Sequence, residues 1–237
     1  MTVLFLVIDF VAFTIQSLTG FGGPLIAMPL GISVVGLAAA KPVITFGAWL
    51  SALVIAVRNR KDIVFRELFR MAGAMLVFMI AGLWLFKNGQ MKFLQVIYGL
   101  IVICIGLKKL FLPSEKPMAK WLVVLSICLA GIMQGMFVSG GSFLVIYAVS
   151  AIPEKRQFRA MLSAVWATVN VFLLCSYFVD GSFTPEVLSL SALSLVPLSA
   201  AVVCGSLLAG KLNQKTFLKA AYILLVVSGA VLLLTNL

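Results

Sequence analysis

The chain has 237 residues, of which 63% are hydrophobic and 11% are charged, and its formal net charge is +11. Soluble domains are about 45–50% apolar and about 25% charged, so the composition excludes a soluble globular fold and predicts an all-α integral membrane protein in contact with the lipid bilayer. In such a protein, excess positive charge is typical of loops that set the orientation in the membrane, and no nucleic-acid partner is expected.

Ten apolar segments are predicted along the chain. They cover residues 2–19, 24–37, 41–57, 68–86, 92–112, 119–138, 142–152, 157–179, 187–210 and 215–235. At about 1.5 Å per residue, the second and seventh are too short to cross a bilayer. The start of the chain, MTVLFLVIDF, carries no positive charge before its apolar run. We therefore expect no cleaved signal peptide, and the first segment should remain in the mature protein.

The first segment contains Asp9, the one acidic residue well inside an apolar stretch. An intramembrane carboxylate is a functional hypothesis by default, and proton coupling is the role it indicates. The alternative is that Asp9 lies near a helix end and reaches the outer interface.

A glycine-rich break follows, in LTGFGGPLIAMP from Leu18 to Pro29. Helices break at membrane depth only where the freed backbone groups face protein or a water-filled cavity. Gly22 and Gly23 permit unusual dihedral angles, and Pro24 suits the first position of a new helix. The pattern predicts a helix N-terminus whose free N–H groups bind an anion near the middle of the membrane. Close packing of helices through small residues is the alternative.

The basic residues predict the topology. Four clusters lie between apolar segments: Arg58, Arg60, Lys61, Arg66 and Arg70; Lys108, Lys109, Lys116 and Lys120; Lys155, Arg156 and Arg159; Lys211, Lys215 and Lys219. If segments 1–2 and 6–7 each return to their starting side, 15 basic residues lie inside and 3 lie outside. The positive-inside rule then places the clusters in the cytoplasm and both termini in the periplasm, as for a multi-pass protein of the bacterial inner membrane.

The sequence also repeats itself at an offset of 118 residues. Gln16 pairs with Gln134, and the Gly22–Gly23 pair matches Gly140–Gly141. Asp9 has no such partner, because Ile127 occupies the matching position. The offset predicts two repeats, 1–112 and 119–237, of about five segments each, with a broken-helix hairpin opening each repeat. Since each repeat crosses the membrane an odd number of times, the two should be inverted, as in many secondary transporters.

The second break, QGMFVSGGS, offers Ser139 or Ser142 as a helix cap. In the helix after it, Arg159, Ser163, Trp166 and Asn170 recur at spacings of 4, 3 and 4 and line one face. The candidate substrate-binding residues are Gly22, Gly23, Pro24, Ser139, Gly140, Gly141, Ser142, Gln16, Gln134, Thr45, Ser163 and Asn170. Lys41 and Arg159 are candidate cations that attract an anion, with interfacial anchoring as the alternative. Gln16 and Asn170 are also possible hydrogen-bond partners between helices.

These motifs resemble the TauE/SafE family of membrane transporters, often called sulfite exporters. GFGGPLIAMPL, Gly20–Leu30, is similar to the first copy of the family pattern, and SGGSFLVIYAV, Ser139–Val149, is similar to the second, with Tyr147 in place of the proline. Thr45 and Ser163 match a Thr/Ser position in the following helix. The resemblance implies a secondary transporter that moves a small anion, such as sulfite or an organosulfonate, across the bacterial inner membrane. The substrate would sit between repeats that alternate in access.

Other functions remain open at this point. A cation or metal transporter would need buried acids, thiolates or imidazoles, and the chain has no histidine and only scattered cysteines. A membrane-embedded enzyme would need a nucleophile with a base, or a metal, and no such set is visible, so neither catalysis nor a cofactor is expected. A non-transporting assembly protein is compatible with the small residues, and a homodimer is compatible with the sequence.

Overall fold

A computed structural model of the chain describes residues 1–88, 96, 100, 103–104, 106–108, 110–111, 120–138, 140–152 and 154–234. Within these ranges the long elements are all α-helices. They are α1 (Thr2–Thr19), α2 (Gly23–Arg58), α3 (Phe65–Asn88), α4 (Lys120–Phe137), α5 (Gly141–Ala151), α6 (Lys155–Val179), α7 (Pro185–Lys211) and α8 (Gln214–Leu234). A short 3₁₀ turn, Arg60–Asp62, joins α2 to α3.

Five of these helices are long and apolar enough to cross a membrane, namely α1, α2, α3 over Phe65–Leu85, α6 and α7. The apolar stretch of α4, Trp121–Met136, is shorter. Large apolar side chains cover their outer surface; Val196 is 77% exposed and Phe178 is 75% exposed. A surface of this kind faces lipid rather than water, so the chain is a multi-pass α-helical membrane protein.

The predicted separation of segments 24–37 and 41–57 is confirmed, with the break at one residue. Helix α2 consists of two helical parts that meet at Gly36, whose φ of 78° and ψ of 161° are not helical. The two parts meet at this single residue because glycine alone adopts that conformation without strain. The fifth predicted segment, 92–112, lies largely outside the described residues, as does the boundary between the repeats at 112–119, so the two inverted repeats stay a prediction.

The described chain divides into two compact units. The first unit comprises residues 1–72 and 159–211, and the second comprises 73–158 and 212–237. In the first unit, α1 packs against α2 and α7. Glycines allow the close approach: a Cβ on Gly47 would meet the Phe13 ring, and a Cβ on Gly205 would meet the Thr14 carbonyl.

Contacts along α1 fix the path of α2. Gln16, near the end of α1, lies against Gly23, and Phe5, near its start, lies against Gly31. The first part of α2 therefore runs back along α1. Beyond Gly36 the order reverses, since Phe13 lies against Gly47 and Gln16 donates to the Ser51 hydroxyl at 2.8 Å. The second part of α2 therefore runs parallel to α1.

Helices α6 and α7 complete the first unit. Arg159, early in α6, bonds the Ser17 carbonyl at the end of α1, whereas the Tyr177 ring lies 5.9 Å from the Lys41 ammonium. Helix α6 is thus antiparallel to α1. Helix α7 starts beside the end of α6 and reaches Arg159 again through Ser206, so it runs parallel to α1.

The first unit consequently has two ends with different charge. The basic end carries the residues that terminate α2, begin α6 and terminate α7, which are Arg58, Arg159 and Lys211. The opposite end carries Lys41, Asp180 and Glu186. Residues from three of the predicted cytoplasmic clusters therefore lie at the same end of the first unit, because α2 and α7 end there and α6 begins there.

The second unit packs α3 against α4 through glycine. A Cβ on Gly131 or Gly135 would meet the backbone carbonyl of Met75 or Met79, and a Cβ on Gly82 would meet that of Ile132. The Gly-x-x-x-Gly spacing of α4 places both of its glycines on one face, where they let two backbones approach closely.

Candidate functional site

The first glycine break forms a tight turn between α1 and α2. Gly20 closes α1 in the left-handed conformation with φ 88°, and Gly22 precedes α2 with φ 90°. Gly23 and Pro24 occupy the first positions of α2. The first backbone bond of α2 runs from the Ile26 N–H to the Gly22 carbonyl at 3.3 Å.

This turn leaves two buried donors free. The N–H groups of Gly23 and Leu25 receive no hydrogen-bond partner from the described residues, and both residues are buried. Free N–H groups at a helix start carry positive partial charge, which favours an anion. The sequence predicted this helix start at Pro24, and the structure has it one residue earlier, at Gly23.

Gln16 is buried and lies against the turn. Its amide nitrogen donates to the Ala48 carbonyl at 3.1 Å and to the Ser51 hydroxyl at 2.8 Å. Its amide oxygen lies where a Cβ on Gly23 would be. The side chain therefore connects the turn to the second part of α2, and Ser51 joins the site although the sequence reading missed it.

Two side chains of α6 hold the end of α1. The Arg159 Nε donates to the Ser17 carbonyl at 2.7 Å, and its Nη2 donates to the Ser206 hydroxyl at 2.7 Å. The Trp166 Nε1 donates to the Gly20 carbonyl at 3.1 Å. A cation beside helix-end carbonyls is favourable because those groups carry negative partial charge. Arg159 still has three further N–H donors, since a guanidinium carries five.

The turn lies closer to the basic end than to the middle of the first unit. Helix α1 has 18 residues, which gives a length of about 27 Å. Gln16 is level with Ser51, which precedes Arg58 at the end of α2 by about 10 Å. Helix α1 continues as far as Thr19, so the turn follows at that end of the helix, and the depth of the site in the membrane stays a prediction.

The remaining candidates of the first unit lie farther along α2 and α6. Thr45 is buried, donates to the Lys41 carbonyl at 2.7 Å and lies within reach of the Tyr177 hydroxyl. Ser163 and Asn170 are also buried. Lys41 and Arg159 lie at opposite ends of the unit, and the Lys41 ammonium faces the Tyr177 ring.

The second break has a related arrangement within the second unit. Gly140 precedes α5, and its N–H donates to the Gln134 amide oxygen at 3.1 Å. Ser142, in the first turn of α5, is fully buried, and its hydroxyl has no partner among the described residues. Val138 has a positive φ of 55°, at the position that corresponds to Gly20. Ser139 lies outside the described residues, and Gly141 begins α5.

A cleft of about 220 Å³ opens between α2 and α7. It is lined by Leu50, Ser51, Val54, Arg58, Leu198, Ser199, Val202 and Val203. Ser51 connects this cleft to Gln16 and so to the turn. The sequence reading assigned Arg58 to a cytoplasmic loop cluster, and only the packing of α7 shows that it also borders a cleft.

Asp9 is buried on α1, away from the turn. Among the described residues, no group of three His, Cys, Asp or Glu side chains could hold a metal ion. The site therefore consists of backbone donors, one guanidinium, hydroxyls and amides. This donor set suits a small oxyanion.

Comparison with known proteins agrees with this donor set. No curated protein and no solved structure matches the chain. The model of the family described as Sulfite exporter TauE/SafE matches residues 4–232. Members of this family are membrane transporters of sulfur-related anions rather than enzymes. The chain therefore belongs to the TauE/SafE sulfite exporter family.

Proposed function

We propose that the chain is a secondary transporter that carries a small sulfur oxyanion, sulfite or an organosulfonate, across the bacterial inner membrane by alternating access. The basic end of the first unit faces the cytoplasm in this proposal, and both termini face the periplasm. The charge asymmetry of the first unit supports this orientation.

One observation carries the proposal: two free, buried N–H groups begin α2 at a turn against which Arg159 packs. Arg159 packs against the turn, since its Cα lies 3.3 Å from the position of a Cβ on Gly20. The free N–H donors and the cation of Arg159 therefore belong to the same end of the first unit. An oxyanion accepts several such hydrogen bonds at once, whereas a cation would be repelled there.

The second turn supplies matching groups in our proposal. Gly140, Gly141 and the unpartnered hydroxyl of Ser142 begin α5, and Gln134 braces the turn as Gln16 braces the first. The repeat of a glutamine, a glycine turn and a helix start supports two related anion-binding turns, one in each predicted repeat. Thr45, Ser163 and Asn170 would orient the substrate, and Ser139 would join the second turn.

The test is sulfite binding and sulfite flux. Titration calorimetry on purified protein should show binding that Gly23→Leu abolishes, because the added side chain displaces Gln16 and covers the free N–H groups. Gly73→Ala is the matched control, since its Cβ meets no atom within 4 Å. Full sulfite affinity in Gly23→Leu, with helix content intact by circular dichroism, would contradict a site at the turn.

Flux in proteoliposomes separates the rival functions. The wild-type protein should take up labelled sulfite or methanesulfonate and exclude monovalent and divalent cations. Uptake of cations alone would support a cation transporter, and the absence of any flux would support an assembly protein.

A further inference from the structure

A buried carboxyl group without a partner lies in the first unit, outside the anion site. Asp9 is 1% exposed, and neither carboxyl oxygen has a hydrogen-bond partner among the described residues. The other acids of the described chain lie in loops or first helical turns, namely Asp62, Glu67, Glu154, Asp180 and Glu186. Among the described acidic residues, Asp9 is therefore the one that is buried between membrane-spanning helices.

The position of Asp9 on α1 determines which side chains surround it. Residues four apart share a helix face, so Asp9 lies between Phe5 and Phe13. Phe5 packs against Gly31, and Phe13 packs against Gly47 of α2. Asp9 therefore faces the interface between α1 and α2, with an aromatic ring one turn before it and another one turn after it.

No basic side chain reaches it among the described residues. On α2, the Lys41 ammonium faces the Tyr177 ring and Arg58 lies at the basic end. On α6, Arg159 bonds Ser17 and Ser206. On α7, the charged residues Glu186 and Lys211 lie in the first and last turns, and the thiol-bearing Cys204 is exposed. An ion pair between described residues joins Arg70 to Glu67, on α3.

Two more buried hydroxyls without partners lie on α7, nearer the opposite end of the unit than Asp9. Gly205 of α7 is level with Thr14 and Ser17 of α1. Ser194 and Ser191 lie about 16 and 21 Å back along α7 from Gly205, whereas Asp9 lies about 8–12 Å back along α1 from Thr14 and Ser17. Since α1 and α7 run parallel and pack together, these hydroxyls are polar groups between the opposite end of the unit and Asp9.

We infer that Asp9 is a proton-binding site that couples anion movement to a proton gradient, an inference that rests on the proposed transport function. An ionised carboxylate without a partner is costly in an apolar interface, and one cation must neutralise it. Metal ions of the size of Ca²⁺ or Mg²⁺ need about six oxygen ligands, and the face around Asp9 is aromatic. A proton needs only the carboxyl oxygen itself.

The coupling step is a proton transfer between Asp9 and water. On the proton-rich side, one carboxyl oxygen takes a proton from hydronium, an O–H bond forms, and water is left. The neutral carboxyl group allows α1 and α2 to pack closely. On the other side the proton returns to water, and the ionised carboxylate draws water into the α1–α2 interface. Because Gln16 lies seven residues farther on the same face of α1, this change of packing reaches the anion turn.

The first test is infrared difference spectroscopy of the carboxylic acid C=O stretch. Purified wild-type protein should show a band that titrates with pH and is lost in Asp9→Asn. The matched control, Glu186→Gln, should keep the band, since Glu186 is exposed in the first turn of α7. A band that persists in Asp9→Asn, or no titrating band in the wild type, would overturn the inference whether or not the protein carries sulfite.

The second test is sulfite transport in proteoliposomes at clamped membrane potential. Wild type and Glu186→Gln should concentrate labelled sulfite when a pH gradient is imposed. Asp9→Asn should lose this accumulation while exchange of sulfite at equal pH continues. Accumulation by Asp9→Asn equal to that of Glu186→Gln would overturn the coupling role. If no variant exchanges sulfite, the proposed substrate fails, and the infrared result alone decides the proton site.

Discussion

Arg159 shows how one residue serves both structure and charge. As a sequence feature it is a cation near a helix end, equally suited to attract an anion or to anchor the interface. In the structure its guanidinium bonds the Ser17 carbonyl and the Ser206 hydroxyl and so joins α1, α6 and α7. Its backbone packs against the turn at Gly20. Both roles therefore depend on the planar, five-donor geometry of arginine.

We expect Arg159→Gln to weaken sulfite flux strongly and to destabilise the protein by about 1–3 kcal/mol, because hydrogen bonds to charged groups contribute about 1.5–3 kcal/mol. Arg159→Lys should keep the charge and lose one of the two bonds, so its thermal stability should fall between that of wild type and Arg159→Gln. Flux and melting temperature in detergent measure the two effects. Normal sulfite flux in a well-folded Arg159→Gln variant would contradict a role of Arg159 in attracting the anion and would leave only its structural role.

At the scale of elements, the bend in α2 depends on the backbone conformation of a single residue, Gly36. Gly36 adopts φ 78° and ψ 161°, yet a Cβ there would meet no atom within 4 Å. Any cost of a side chain at this position therefore comes from the backbone dihedrals and not from packing. The bend sets the angle between the two parts of α2, one antiparallel and the other parallel to α1.

Gly36→Ala should accordingly destabilise the protein by about 1–3 kcal/mol, the usual cost of forcing a non-glycine residue into this region. Gly73→Ala, with equally open surroundings but inside a regular part of α3, should be neutral or stabilising by up to about 1 kcal/mol. Thermal unfolding of both variants in the same detergent measures the difference. Equal melting temperatures would show that the bend tolerates a side chain.

The contact between α3 and α4 depends on space rather than on dihedral angles. We expect Gly135→Leu to separate the two helices, because its side chain would occupy the position of the Met79 carbonyl and the Leu83 backbone. The variant should unfold at a much lower temperature than Gly73→Ala. A folded Gly135→Leu with wild-type stability would contradict the close approach of these backbones.

The long helices and the first glycine turn could be predicted from the sequence, and particular residues show why. The length of the apolar stretches predicted the long helices, and Gly22, Gly23 and Pro24 predicted the start of α2. Both predictions depend only on residues that are close together in the sequence. The two parts of α2 were predicted as separate segments, but the exact position of the break at Gly36 was not, since the sequence around it is uniformly apolar and small. Ser51 and Ser206 were missed because only the packing of α2, α6 and α7 brings them to Gln16 and Arg159.

At the scale of the whole molecule, the orientation in the membrane follows from where the basic residues lie. A reporter inserted near Lys61 should read as cytoplasmic, and a reporter fused after Leu237 should read as periplasmic. Paired alkaline phosphatase and fluorescent protein fusions measure both sites. Finding both reporters on the same side would contradict the inverted arrangement of the two repeats.

The composition of the first unit has a consequence for biosynthesis. This unit is built from residues 1–72 and 159–211, and its contact between Ser17 and Arg159 spans 142 residues. At about 5–20 residues per second, the ribosome delivers Arg159 roughly 7–30 s after Ser17. During that interval the hairpin of α1 and α2 must remain in the membrane without α6 and α7. The Gly20 and Ser17 carbonyls then lack their partners, so the nascent hairpin is a natural client for an insertase or a chaperone that shields polar backbone from lipid.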